Sequence, residues 1–168
     1  MTNMTRAILL LTASLVALAL PARAQEVESI LDQKEWSVGG VGMGGSEYFT
    51  CAATDASHSA DSLWLQVTEI PSRNVINEVS VEHPGESQPT AAILQIGDDR
   101  FVLAVTEGER FTAAASDGGK VVAAMLQNAS LTLQLEGGGA PKPYSYDLAE
   151  FPAAYAALVQ HCHAPANP

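Results

Sequence analysis

The clearest signal along the chain is a period of two. Leu63, Leu65 and Val67 alternate with Trp64, Gln66 and Thr68, so the two sets point to opposite faces of a strand. Ala92, Leu94 and Ile96 alternate with Ile93 and Gln95, and Phe101, Leu103 and Val105 make a further inward row. Leu131, Leu133 and Leu135 alternate with Thr132, Gln134 and Glu136 without a break. Val75, Asn77, Val79 and Val81 alternate less cleanly. Turn residues separate these runs: His83-Pro84-Gly85, Gly97-Asp98-Asp99 and Glu107-Gly108-Glu109, after which Phe111 to Ala114 returns. The middle of the chain reads as an antiparallel meander.

Two stretches switch to a helical period. Asp117 stands where a helix cap belongs, before an apolar stripe of Val121, Val122, Met125 and Leu126. Phe151, Tyr155, Leu158 and Cys162 fall on one face of a second helix, with Pro152 in the first turn, where its missing N–H does no harm. Tyr144, Tyr146 and Leu148 form a short strand between them, after the loop Gly137 to Pro141. Upstream, residues 25–35 are polar and read as a loose lead-in. Five glycines among the seven residues 39–45 predict a turn or flexible loop, because glycine loses most freedom on ordering. Tyr48 to Ala52 predicts a strand and Asp55 to Asp61 a polar loop. The expected class is α+β: an antiparallel sheet, meander or sandwich-like, with two short helices near the C-terminus.

The first residues carry a different message. Arg6 precedes an apolar run, Ala7 to Leu20, and Ala22-Arg23-Ala24 gives a small-residue cleavage site. The run is shorter than the roughly 20 residues of a span. A basic start, an apolar middle and small residues at the cut predict a secretory signal peptide over residues 1–24. Residues 25–168 then form one exported domain with no membrane span, and a bacterial periplasm fits best. The 168 residues carry 8 Lys and Arg against 19 Asp and Glu, a net charge of −11. That excludes nucleic acid as a partner, because phosphate contacts need clustered cations.

The chain has 2 cysteines, too few for a four-cysteine zinc site. Cys51 and Cys162 could be a reactive thiol or a metal ligand flanked by His161 and His163. They could instead tie the last helix to the sheet, which is the expectation in an oxidising compartment. Gly40-Val41-Gly42-Met43-Gly44-Gly45 matches a dinucleotide fingerprint in letters only, since strand-like residues follow it rather than a helix. His58 and His83 lie in loop positions where Asp55, Asp61 or Glu82 could join them. There is no G-x-S-x-G around a serine, and nothing identifies a base for Ser46. No catalytic residue, metal ligand or cofactor is therefore assigned. Trp64 faces outward if Leu63 and Leu65 face in, which makes it a candidate partner contact.

The order of features resembles a known family. An early Trp36 is followed by Thr50-Cys51-Ala52-Ala53, a meander with a Gly-Asp-Asp-Arg-Phe turn, and the ending Tyr146-Asp147-Leu148-Ala149-Glu150-Phe151-Pro152-Ala153-Ala154-Tyr155. This resembles the invasion-associated locus B proteins of alphaproteobacteria. The chain departs from them at Gly39 and Gly40, where the family commonly has a cysteine. The resemblance implies a small envelope-associated protein and transfers no active-site residues. Two functions follow as expectations: a non-enzymatic exported protein that binds an envelope protein or component, or a metal-handling protein or hydrolase using His58, His83 or His161.

Overall fold

A computed structural model describes residues 26–42, 48–57, 63–83, 89–106, 109–137 and 143–162. The segment read as a signal peptide lies outside them, as do His58, Ser46, the Glu107-Gly108 turn and most of the loop Gly137 to Pro141. Ten strands form one antiparallel sheet: β1 Glu26–Asp32, β2 Trp36–Gly42, β3 Tyr48–Asp55, β4 Trp64–Ile70, β5 Val75–Glu82, β6 Ala91–Ile96, β7 Asp99–Val105, β8 Arg110–Ala113, β9 Ser130–Glu136 and β10 Tyr144–Asp147. Among the described residues two α-helices accompany them, α1 Gly118–Gln127 and α2 Phe151–Cys162. The α+β class is therefore the fold. Among the described residues no helix is long and apolar enough to cross a membrane.

The strand order is β1-β2-β3-β4-β5-β8-β7-β6-β9-β10. The middle strands are thus two hairpin-linked runs, β4–β5 and β6–β7–β8, joined by a crossover that periodicity cannot reveal. The crossover spans three strand spacings, roughly 14 Å at about 4.8 Å each. His83 N–H still bonds the Glu109 carbonyl at one end of it, and Thr90 N–H bonds Glu136 at the other. The β6–β7 turn has the expected chemistry. Gly97 takes φ 57° with Asp98 after it, so only the first of two turn positions is left-handed, as a type II′ hairpin requires.

The inner face carries the rows read from the sequence. Leu65 sits opposite Val81, Val67 opposite Val79, Leu94 opposite Leu133, and Ala92 opposite both Leu103 and Leu135. All are buried in one cluster with Val121, Met125, Phe151 and Leu158 from the helices. Val105 is the exception in its row, 46% exposed at the open end of β7. On α1, Val121, Val122 and Met125 are buried as expected, but Leu126 is exposed and Ala124 takes its place against the core.

Two upstream expectations fail for physical reasons. Residues 26–32 are an edge strand, paired with β2 through a bulge near Ile30. Its glutamates disguised it, although charge is a common way to blunt an edge strand. Gly39, Gly40 and Gly42 lie within β2 rather than in a loop. Gly40 pairs with Cys51 and Val38 with Ala53, and α2 packs on β2 and β3. Small residues there let a helix approach the sheet closely, which is a use of glycine that needs no left-handed φ.

Helix α1 docks on β5 through another glycine. A Cβ at Gly118 would stand 2.1 Å from the Asn77 carbonyl oxygen, whereas one at Gly119 meets nothing nearer than Asn77 Nδ2 at 4.0 Å. Gly119→Ala should therefore raise stability by about 0.5–1 kcal/mol, the usual helical gain over glycine. Gly118→Ala should lower it instead, because rigid backbone blocks the new methyl group. Urea denaturation of the two variants checks this, and equal gains from both would contradict the docking geometry.

Candidate functional site

The row Leu63, Leu65, Val67 continues inward to Glu69, which is fully buried. A carboxylate at an inward position needs partners, since burying a lone charge is expensive. Glu69 lies at a bulge: Thr68 pairs with Glu78 and Ile70 with Val75, so Ile76 and Asn77 together oppose Glu69. Asn77 takes φ 56° there, and Asn74 φ 53° in the turn before it. Left-handed conformations are tolerated by asparagine and are uncommon in other residues with a side chain. Glu69 Oε1 accepts the Asn77 backbone N–H at 2.9 Å. Asn77 Oδ1 accepts the Tyr155 hydroxyl at 2.8 Å, which connects the bulge to α2.

Beside the bulge the sheet opens. β5 pairs with β8 only from Ser80 to Glu82. β8 then turns away, because the Asp117 and Gly118 N–H groups both bond the Ala114 carbonyl and start α1. Among the described residues, the first half of β5 consequently pairs with β4 on one side and with no strand on the other, where the start of α1 meets it at Asn77. A cleft of about 420 Å³ occupies the gap, lined by Asn74, by β5 from Val75 to Glu78 and by Thr112 to Ala115. Ile76 stands in it 55% exposed. On its rim Arg110 bonds both Glu78 Oε1 and Ser80 Oγ at 2.9 Å, so the nearest carboxylate is already neutralised. The opening therefore presents the Asn74 and Asn77 amides, the Thr112 hydroxyl, small side chains and the exposed Ile76.

The residues singled out from sequence are dispersed. Cys51 and Cys162 form a disulfide, with Cα atoms 6.0 Å apart, which joins β3 to the last turn of α2. Trp64 begins β4, half-buried and paired with Glu82, between the buried Leu63 and Leu65. It lies at the other end of β5 from the opening, roughly 14 Å away at about 3.4 Å per residue. His83 follows β5 and His161 is exposed on α2, while His58 and His163 fall outside the described residues. Among the described residues no three His, Cys, Asp or Glu side chains gather as metal ligands would. Asp98 and Asp99 are exposed in their turn, as a solvated pair should be.

Glu69, Asn77 and Tyr155 were not assembled from sequence. The signal that could have found them is the carboxylate at the inward parity of β4 opposite a strand with faulty alternation. No family model, curated protein or solved structure matches the chain.

Burial raises the Tyr155 hydroxyl above its ordinary value of 10.0, and the Glu69 charge adds to the effect by opposing a phenolate. The folded state thus holds this proton more tightly than the unfolded chain does. Its contribution to stability is complete below pH 10 and is lost as pH rises through the folded value. Tyr155→Phe should abolish that part of the alkaline loss. The check is urea denaturation of both proteins from pH 8 to 11; parallel pH profiles would contradict the assignment.

Proposed function

We propose that the chain is an exported envelope protein that works by binding, and that an extended segment of a partner protein is what it binds. The observation that carries this reading is the first half of β5, which among the described residues pairs with β4 alone, beside a cleft with Ile76 exposed in it. A strand edge recognises an extended peptide through alternating N–H and C=O groups, and adjacent pockets select its side chains. Natural proteins usually protect such edges, so an open one inside a sheet points to use. The basic-apolar-small start of the chain and its resemblance to the invasion-associated locus B proteins support an exported, periplasmic setting. The acidic balance of 19 to 8 favours a partner with cationic surface.

Position-specific photo-crosslinking in exporting cells tests the reading. A crosslinker at Ile76 should give a discrete adduct, and mass spectrometry should place the other end in one short peptide of a partner protein. The same group at Trp64 should give little. Adducts at Trp64 and none at Ile76 would move the contact to the other end of the sheet and overturn the proposal. Amino-terminal sequencing of the same material should begin at Gln25.

A further inference from the structure

The disulfide and the opening are joined by a short series of contacts. Cys162 Sγ lies 3.9 Å from the Glu69 carbonyl oxygen. The Glu69 side chain holds the Asn77 N–H, and Tyr155 holds the Asn77 side chain. Tyr155 and Cys162 ride on the same helix, two turns apart. Asn77 itself lines the cleft, in a left-handed conformation of the kind that persists only when its surroundings impose it. The surroundings that impose it here are Glu69, Tyr155 and the start of α1.

We propose that the Cys51–Cys162 disulfide is a redox-sensitive clamp on the opening between β5 and β8. With the bond closed, α2 fixes Tyr155 on Asn77 and the bulge keeps its shape. With the bond reduced, the last turns of α2 release, Asn77 loses a partner and the cleft changes shape. The proposal rests on the reading of this opening as the binding site and adds its regulation.

The exchange needs a dithiol donor. A donor thiolate attacks Cys162 Sγ, which belongs to the less buried of the two cysteines, 7% exposed against 0% for Cys51. The bond to Cys51 breaks, and Cys51 leaves as a thiolate that takes a proton from water. The donor's second thiolate then attacks the donor sulfur of the mixed disulfide and releases Cys162, which is protonated in turn. The donor ends as a disulfide, and two electrons have passed to the protein. The release is local because β6, β7 and β9 are held by their own ladders and carry neither cysteine.

Amide hydrogen exchange of the mature protein, with and without dithiothreitol, tests the clamp. Thiol titration shows that the bond has opened. Reduction should speed exchange at Asn77 and from Tyr155 to Cys162 at least tenfold more than at Leu94 and Leu133, whose smaller loss reflects only the lower stability of the whole domain. Tyr155→Phe, with the disulfide intact, should show part of the Asn77 change without reductant. Unchanged Asn77 protection after reduction overturns the proposal. So does equal loss everywhere, which would make the bond a staple for the whole domain, and so does a folded protein that resists dithiothreitol entirely. The measurement uses no partner, so its failure leaves the binding reading standing, and failure of crosslinking at Ile76 leaves the exchange result unaffected.

Discussion

The structure depends on a seam at which the two ends of the sheet meet. The Trp36 indole N–H donates to the Asp147 carbonyl at 2.9 Å, so the second strand touches the end of the tenth. Glu150 Oε2 accepts the backbone N–H groups of Glu35 at 2.8 Å and Trp36 at 3.3 Å. The Trp36 and Phe151 rings meet at 4.8 Å between centroids, and Phe151 stacks on Tyr155 at 5.9 Å. Trp36 and Phe151 are both fully buried. Hydrogen bonds to a charged acceptor contribute about 1.5–3 kcal/mol each, and an aromatic pair adds about 0.5–1.5 kcal/mol beyond the area it buries. The disulfide anchors the far end of the same helix across 111 residues, for which chain entropy gives roughly 4–5 kcal/mol.

Curling the sheet onto its own C-terminal helix solves one problem and creates another. A long sheet with one apolar face needs a cover, and α2 supplies it over β1, β2 and β3 while α1 covers β5. Each helix then has to meet the sheet at close range. Gly40, Cys51 and Ala53 make room for α2, and Gly118 makes room for α1 against the Asn77 carbonyl. To start α1 there, the chain must leave β8 at Ala114, and its departure unpairs the first half of β5. The lack of a second paired strand there, among the described residues, is thus a consequence of how the core is covered, and the bulge at Glu69 and Asn77 sits where the two helices bear on the sheet.

Much of this was legible in the sequence, and the failures have causes. Leu131, Leu133 and Leu135 alternate because one face of β9 is buried and the other solvated. Cys162 was readable as a disulfide partner because it shares a helix face with Phe151 and Leu158, all three of which are buried. Strand β1 was missed because an edge strand can be half charged. The glycines of β2 were misread because a requirement for closeness and a requirement for a turn look alike in letters. The crossover from β5 to β6 leaves no local mark, since β6 is chosen by its fit beside β9. The bulge did leave one, in the imperfect alternation of Val75, Asn77, Val79 and Val81, but its partner Tyr155 is 78 residues away.

The central claim is that α2, docked through Phe151 on Trp36, holds the curled sheet together. Comparing Phe151→Ala with Gln160→Ala in chemical denaturation measures it most directly. Phe151 is fully buried and Gln160 is exposed on the opposite side of the same helix. Truncating the phenylalanine should cost about 3–5 kcal/mol, from lost transfer energy and the cavity left behind. The glutamine change should stay within about 0.5 kcal/mol. Similar small costs for both would show that the helix is not docked, and the seam could then not be what closes the sheet.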